Sequence, residues 1–207
     1  MQELDFIFAI AILIMSVVSH EVSHGYMALA LGDDTAKISG RLTLNPFRHI
    51  DPLGSVIVPA ISYYAGGFIF GWAKPVPYNP YNLKSPRWGE ALVAGAGPAT
   101  NLVLASVFGL LVRFGLLYGF LPETFLSIAV LLVQINLILA VFNLIPIPPL
   151  DGSKILFALF PHRLYEWRAR IEEWSLFLLL IFVFFLWGFI TPIVAFLFSL
   201  ITGISFQ

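Results

Sequence analysis

Long apolar segments decide what this chain can fold into. After a first one that begins at Phe6, such segments cover residues 53–71, 91–120, 124–145 and 174–201. A helix needs about 20 apolar residues to cross the hydrocarbon core of a bilayer, and these segments are near or above that length. Hydrophobic residues make up 59% of the 207 positions and charged residues only 11%. This composition is typical of integral membrane proteins and lies outside the usual range of soluble domains.

The segments predict an all-α polytopic membrane protein with about four spanning helices. The residues before Phe6 carry acidic but no basic side chains, so we expect the first segment to be a retained span and not a secretory signal. The connections 33–52 and 71–90 are dense in Pro, Gly and Asn. Residues 36–44 alternate as a strand does, which predicts a small β element in these loops. No internal repeat divides the chain, and a single domain over 1–207 is expected.

Charge and cysteine content exclude several kinds of site. The net charge of −1 gives no basic excess of the kind that nucleic acids attract, so no nucleic-acid partner is expected. The chain contains no cysteine, which excludes disulfide bonds and thiolate metal ligands. Any bound metal ion must therefore be held by His, Asp or Glu side chains.

Two histidines and a glutamate interrupt the first apolar segment. His20 and His24 are four positions apart in "SHEVSH", so on a helix they share a face and can direct two ring nitrogens at one ion. Glu21 lies about 100° around the same helix, near enough to reach a water molecule at that ion. This HExxH arrangement is typical of zinc metalloproteases. A buried polar cluster that packs helices, or a proton path, would use the same residues, although ionisable groups in a span favour a functional interpretation.

A third ligand is expected, because catalytic zinc usually has three protein ligands and one open position. The apolar segment 124–145 is followed by three prolines, which cannot continue a helix and leave free backbone carbonyls near membrane depth. Asp151 follows these prolines and is the best candidate. The alternative is that Asp151 lies in a turn at the membrane interface, before Gly152. For His49 and His162, which lie in proline-flanked polar connections, we expect solvated or surface positions.

Three motifs, in this order, resemble the site-2 protease family of intramembrane metalloproteases. They are "HEVSH" at 20–24, "GAGPATN" at 95–101 and "NLIPIPPLDG" at 143–152. The resemblance covers about residues 16–160 and implies a motif-bearing core over about 6–160. The stretches "GRLTLNPFRHIDPLG" and "FGWAKPVPYNP" further resemble a compact branch of the family, in which we expect no PDZ or CBS domain.

The resemblance implies a role for each matching residue. Glu21 is expected to be the general base that takes a proton from water at the ion. Asn143, which opens the third motif, is expected to bind the substrate backbone or its oxyanion. Asn101 ends the second motif, where a hydrogen bond between helices and an active-site role are equally open. The expected ligands of one catalytic zinc ion per chain are His20, His24 and Asp151.

The implied function is that of a zinc-dependent intramembrane endopeptidase, which hydrolyses peptide bonds within or near transmembrane segments of membrane-protein substrates. The expected partners are those segments and the lipid bilayer, in the cell membrane of a prokaryote. A helical substrate must unwind before attack, and extended backbone at 37–44 or 67–77 is expected to pair with it. The segment 174–201, interrupted by Gly188 and Pro192, is expected to be a peripheral helix that gates access. A membrane zinc transporter and a catalytically inactive metal-binding scaffold are the alternatives.

The ligand positions also predict the membrane topology. Because one ion must contact both His20 and Asp151, the first span and the span 124–145 must end on the same side and run parallel. The segment 53–71 is then expected to dip into the membrane and return. Its expected bends are at Pro59, Gly66 and Gly67. Most Lys and Arg residues then lie on the side of the site, which the positive-inside rule identifies as cytoplasmic.

Overall fold

The computed structural model describes residues 2–58, 61, 64, 72–160, 165–182 and 187–206. Every regular element in these residues is a helix or a helical turn, which confirms the predicted all-α class. The α-helices are α1 (Gln2–Ala30), α2 (Thr35–Ile38), α3 (Pro86–Tyr118), α4 (Glu123–Asn143), α5 (Asp151–Leu159), α6 (Tyr165–Glu173), α7 (Ser175–Ile181) and α8 (Ile190–Thr202). Short 3-10 turns lie at Pro46–His49, Pro80–Asn82 and Trp187–Phe189, and a π-helical turn lies at Leu53–Ile57.

In the part of the chain that the structure describes, three helices are long and apolar enough to cross a membrane. Their apolar parts are Ile7–Ala30 in α1, Trp88–Tyr118 in α3 and Glu123–Asn143 in α4. At 1.5 Å per residue even the shortest is about 31 Å long, which matches a hydrocarbon core of about 30 Å. The predicted fourth span is not confirmed. In that region α8 has 13 residues, or about 20 Å of helix.

The helices α1 and α4 run parallel. A short connection over 119–122 joins α3 to α4, and the two helices pack against each other as an antiparallel pair. The end of α1 lies beside the beginning of α3, because Lys84 N–H donates to the carbonyl of Leu31 at 2.9 Å. The chain between α1 and α3 therefore starts and finishes at the same end of the bundle, as the topology prediction requires.

The apolar segment 53–71 also begins and ends at one place. Trp72 N–H donates to the carbonyl of Gly54 at 2.9 Å, so the chain that leaves at 54 has returned at 72. The re-entrant course expected for the segment stays a prediction. The bends expected at Pro59 and at 66–67 lie outside the described residues.

The predicted strand over 36–44 is wrong, because Thr35–Ile38 form the helical turn α2 and the residues that follow are irregular. Asp33 starts this turn by accepting hydrogen bonds from the N–H and hydroxyl of Thr35. Such local bonds compete with extended backbone. Gly40 then adopts a left-handed φ of 65°, which ends the turn and breaks any alternation of side chains across a sheet.

The C-terminal helix α8 packs on α3 and α4 through an apolar cluster. Its residues Ile190, Val194 and Phe198 are buried against Ala105 of α3 and against side chains of α4. The cluster comprises Ala105, Val133, Leu137, Phe182, Ile190, Val194 and Phe198. The inner face of α8 is thus part of the core, and the expectation of a peripheral C-terminal helix stays a prediction. The gating role of 174–201 stays a prediction.

Candidate metal centre

The predicted ligands converge on one point. His20 and His24 lie on consecutive turns of α1, and α5 begins with Asp151 after the proline-rich turn that ends α4. One carboxylate oxygen, Asp151 Oδ2, lies 3.1 Å from His20 Nε2 and 3.2 Å from His24 Nε2. These three side chains are buried, with exposed fractions of 5%, 8% and 8%. Residues more than 120 positions apart in the sequence thus form one cluster inside the helix bundle.

The geometry of the cluster fits a tetrahedral metal ion. Nitrogen and oxygen ligands at about 2.0–2.1 Å from zinc lie about 3.3 Å apart from each other, and the two distances from Asp151 Oδ2 are close to this value. The ring centroids of His20 and His24 are 4.6 Å apart at an interplanar angle of 87°, so the two rings approach the centre from different directions. One position of a tetrahedron is left for water or substrate.

The hydrogen bonds behind the rings show which nitrogens can bind a cation. His24 Nδ1 lies 2.7 Å from the carbonyl oxygen of Val93, and because a carbonyl can only accept, Nδ1 carries the proton. The neutral ring then presents a lone pair at Nε2, toward the carboxylate of Asp151. Two acceptors held this close repel each other unless a cation binds them. A metal ion or a proton between the acceptors removes this repulsion, and the metal site predicted from the motifs stays a prediction.

Asn101 forms the corresponding support behind His20. Its side-chain oxygen accepts a hydrogen bond from His20 Nδ1 at 2.6 Å, and its amide nitrogen donates to Asn136 Oδ1 at 2.8 Å. Asn136 in turn donates to Ser16 Oγ at 2.9 Å, which leads back to α1. Asn101 thus contacts His20 and also links α3 to α4, so each of the two roles left open for it has a hydrogen bond in the structure. Asn136 and Ser16 were missed from the sequence, although a buried asparagine inside an apolar span is itself a signal of function.

A glycine lets α3 pass close to the two histidines. A Cβ atom placed on Gly97 would lie 2.5 Å from His20 Nε2 and 2.6 Å from His24 Cε1. Any larger residue would displace the ring nitrogens that point at Asp151. This contact explains, in physical terms, why the second motif carries glycine at this point of the helix.

Glu21 lies beside the cluster and is held from one side. It is half-buried, and its Oε2 accepts a hydrogen bond from the N–H of Val76 at 2.9 Å. Its carboxylate lies within 4.8 Å of the ligand nitrogens of His20 and His24. Glu21 therefore lies, with His20 and His24, among side chains that could hold a metal ion, and its role as a base instead of a ligand stays a prediction.

Asn143 does not join the cluster. It is the last residue of α4, and its amide donates to the carbonyl of Leu139, one turn earlier, at 2.9 Å. Its predicted role in binding substrate stays a prediction.

The expectation of a solvated His49 is wrong. Its side chain is 2% exposed, and its Nε2 donates to the carbonyl of Thr43 at 2.9 Å. Proline flanks describe the backbone around a residue and carry no information on how deeply its side chain is buried. His162 lies outside the described residues.

The segment 74–77 offers little to a pairing substrate strand. Lys74 N–H donates to the carbonyl of His49 and Val76 N–H donates to Glu21. Pro75 and Pro77 have no N–H. No backbone N–H is therefore free over these four positions, and the expected pairing of a substrate with this part of 67–77 lacks its donors.

Two charged side chains anchor the polar loops beside the site. Asp33 follows α1 and accepts from Asn79 N–H and Asn82 Nδ2, each at 2.8 Å. Burial would raise the pKa of Asp33, but hydrogen bonds from Thr35, Asn79 and Asn82 hold it below the ordinary value.

Arg168 of α6 is the second anchor and binds Glu90 at 2.9 Å and Glu172 at 2.8 Å. Burial lowers the pKa of Arg168, whereas the two carboxylates outweigh this effect and raise it above its ordinary value. The first turns of α3 and the polar helix α6 are thereby held together.

The fold and the cluster define a polytopic membrane protein with a buried group of His and Asp side chains, and its sequence is similar to those of known proteins. The model of peptidase family M50 matches residues 121–186. YwhC from Bacillus subtilis is 40% identical over 189 residues, which are 87% of this chain and 79% of YwhC. Rip2 from Mycolicibacterium smegmatis is 33% identical over 176 residues, 82% of this chain and 64% of Rip2. Rip2 from Mycobacterium tuberculosis is 32% identical over 182 residues, 86% of this chain and 67% of that protein.

These relatives are named as zinc metalloproteases. The chain belongs to peptidase family M50, the site-2 protease family of zinc metalloproteases, and is a membrane protein. No solved structure matches it.

Proposed function

We propose that the chain is a zinc-dependent intramembrane endopeptidase that cleaves peptide bonds within or near transmembrane segments. The observation that carries the proposal is the approach of Asp151 Oδ2 to both histidine Nε2 atoms at 3.1 and 3.2 Å. Both histidines belong to the apolar span Ile7–Ala30. A buried metal-ligand cluster at this position in a protease of family M50 supports hydrolysis at membrane depth.

The proposed ligands of one zinc ion per chain are His20, His24 and Asp151. When bound, zinc supplies an acidified water and a Lewis acid that polarises the scissile carbonyl. The carbonyl of Val93 and the amide oxygen of Asn101 fix the orientation of the two imidazoles through their Nδ1 atoms. Contacts of this kind raise metal affinity in known sites.

Glu21 is the proposed general base. Its carboxylate is held at Oε2 by Val76 N–H, which leaves the other oxygen to accept the proton of the attacking water. The same carboxyl group then donates that proton to the leaving amine. Asn143, at the end of α4, is the proposed group for the substrate backbone or its oxyanion.

The proposed partners are transmembrane segments of substrate proteins and the surrounding lipid, with no nucleic acid. The site is proposed to face the cytoplasm of a prokaryotic cell. Supporting this orientation, basic residues of the loops and of the helices after the site would lie on one side. They are Lys37, Arg41, Arg48, Lys74, Lys84, Arg87, Lys154, Arg163, Arg168 and Arg170, whereas Arg113 would lie toward the other side.

Single cysteines test this orientation in a chain that has none of its own. We expect Lys37→Cys and Lys84→Cys both to be shielded from an impermeant thiol reagent in intact cells and labelled after lysis. Labelling of one position but not the other in intact cells would show that 53–71 crosses the membrane. Labelling of both would place the site on the outer side.

The catalytic proposal is tested with purified protein in proteoliposomes. We expect about one zinc per chain, cleavage of single-span peptides, and no uptake of labelled zinc. Zinc uptake without cleavage would favour the transporter. Bound zinc with neither cleavage nor uptake, and no difference between the wild type and Glu21→Gln, would favour the inactive scaffold.

A further inference from the structure

The carboxylate of Glu21 is held by a segment with an unusual backbone. Residues 74–77 read Lys-Pro-Val-Pro. A residue that precedes proline favours extended backbone, and proline itself has no N–H. Val76 is therefore the one backbone donor over 75–77, and this donor is the group that contacts Glu21 Oε2 at 2.9 Å.

The two peptide units before Val76 are held by the loop 41–49. Arg41 Nη2 donates to the carbonyl of Lys74 at 2.7 Å and contacts that of Pro75 at 3.3 Å. The N–H of Lys74 donates to the carbonyl of His49 at 2.8 Å. The backbone of 74–75 is therefore held at both of its carbonyls and at the N–H of Lys74. Val76 is the residue that follows this held stretch.

The side chain of Val76 is seated against α1. It is 5% exposed, and a Cβ atom on Gly25 would lie 2.8 Å from its Cγ1. Gly25 is one helical turn after Glu21, on the same face. The absence of a side chain at Gly25 thus allows the segment to approach α1 closely enough for the N–H of Val76 to reach the carboxylate.

The burial of Arg41 and His49 leaves one nitrogen of each side chain without a hydrogen bond to any residue that the structure describes, which lowers the stability of the fold. Their exposed fractions are 8% and 2%. Among the described residues, Arg41 Nε and His49 Nδ1 have no hydrogen-bond partner. Burying a polar atom without a partner is unfavourable, and such departures from good packing are typical of functional sites.

We propose that Arg41 and His49 are positioning residues for the general base. Arg41 donates to the carbonyls of Lys74 and Pro75. His49 holds the loop 41–49 in place, because its side chain donates to the carbonyl of Thr43 and its own carbonyl accepts from the N–H of Lys74. The loop thereby directs the N–H of Val76 toward the carboxylate of Glu21. Neither side chain touches the metal ligands. The inference rests on the proposed function, because it assigns the contact to the reaction.

The chemical effect is to restrict the carboxylate to one orientation. Oε2 is bonded to Val76, and a carboxylate oxygen of Glu21 lies within 4.8 Å of ring nitrogens of His20 and His24, where the attacking water is proposed to bind. Without the hydrogen bonds from Arg41, residues 74–76 and the carboxylate of Glu21 become more mobile. The carboxylate is then less often in the orientation needed to accept a proton. A displacement of about 1 Å at a reacting group can lower a rate about 100-fold.

The test compares Arg41→Met with Arg48→Met in full-length protein in detergent or proteoliposomes. Arg48 is in the same loop and carries the same charge, but it is exposed. We measure kcat and KM for a single-span peptide, zinc content, and hydrogen exchange at the amides of 74 and 76. We expect Arg41→Met to lower kcat about 10- to 100-fold, with KM and zinc unchanged. Exchange at both amides should rise about fivefold.

The control and a conservative variant separate positioning from general damage. Arg48→Met is expected to match the wild type in all measurements. Arg41→Lys can still donate to one carbonyl and should recover part of the lost kcat, which also keeps the test available if Arg41→Met does not fold. Loss of zinc together with kcat, or a fall in kcat without faster exchange at 76, would overturn the positioning role.

Failure of this inference can be distinguished from failure of the proposed function. In Glu21→Ala the amide of 76 loses its acceptor, and its exchange should rise whether or not the protein is active. Unchanged exchange there would overturn the bond itself. A wild type that cleaves nothing would overturn the proposed function, whereas full kcat in Arg41→Met would overturn the positioning role alone.

Discussion

The helix bundle buries two clusters of opposite character. The polar cluster joins α1, α3, α4 and α5 through His20, His24, Asn101, Asn136 and Asp151, which are all nearly inaccessible. The apolar cluster joins α3 and α4 to α8 through side chains such as Leu137 and Phe198. The polar cluster gains little stability from placing the Asp151 carboxylate against two histidine nitrogens. The apolar cluster consists of Ala, Val, Leu, Ile and Phe side chains, which cannot take part in catalysis.

This difference separates positioning from stability. Helices in lipid gain no hydrophobic energy from touching each other, so their association depends on close packing and on hydrogen bonds. The apolar cluster provides the packing and holds α8 against α3 and α4. The polar cluster specifies where α1 and α5 meet, because only one arrangement directs its donors and acceptors correctly. Substitutions in the two clusters should therefore change different measurements.

The largest effect is expected within the polar cluster. Glu21→Gln should lower kcat about 10²- to 10⁴-fold, the usual worth of general acid–base catalysis, while about one zinc per chain is retained. Replacing any of His20, His24 or Asp151 by Ala should remove both activity and most of the zinc. Metal analysis beside a peptide-cleavage assay makes the comparison. Full turnover by Glu21→Gln would contradict its assignment as the base.

The apolar cluster is tested by Leu137→Ala. The side chain is fully buried, and truncation of a buried leucine costs about 2–5 kcal/mol. We expect this loss in the free energy of unfolding, measured by denaturant titration in mixed micelles. Zinc affinity and kcat per folded molecule should not change. The matched control is Leu117→Ala, because Leu117 is 68% exposed and should change stability by less than about 1 kcal/mol.

The chain of asparagines behind His20 gives a graded test. Asn101→Leu removes the acceptor of His20 Nδ1, and we expect zinc affinity to fall about 10- to 100-fold. Asn136→Leu acts one hydrogen bond further away and should have a smaller effect. Competition with a chelator measures both affinities. A larger effect at Asn136 than at Asn101 would show that this chain serves helix packing instead.

The smallest effect concerns the loop anchor Asp33. Its pKa is lowered in the folded protein, so its stabilising contribution is present above the unfolded pKa of about 3.9 and is lost as pH falls below it. Asp33→Asn should therefore lower stability at pH 7 by about 1–3 kcal/mol. The loss should shrink on acidification from about pH 4 downward. A difference between the two proteins that stays constant over this range would contradict the account.

The sequence predicts those features that depend on spacing along one helix or on a short motif. The four-residue spacing of His20 and His24 places both rings on one face, and the prolines before Asp151 predict the break in the helix. The parallel course of α1 and α4 follows from the need for one ion to contact both His20 and Asp151. In each case a local pattern or a simple geometric requirement was sufficient.

The features that were missed depend on distant contacts or on local backbone bonds that an alternating pattern does not reveal. The bond between Val76 and Glu21 joins residues 55 positions apart, and no pattern in either stretch records it. The strand expected at 36–44 relied on alternation alone, and the bonds of Asp33 and the left-handed Gly40 overrode it. The burial of His49 likewise results from the fold of the whole loop around 74–75.

The central claim is that His20, His24 and Asp151 together hold one zinc ion. X-ray absorption at the zinc edge, combined with metal analysis of the wild type and Asp151→Ala, tests it most directly. We expect one zinc per chain with two imidazole nitrogens and a carboxylate oxygen, and in Asp151→Ala a loss of that oxygen and of most of the metal. An active wild type without zinc, or an unchanged spectrum and zinc content in Asp151→Ala, would contradict it.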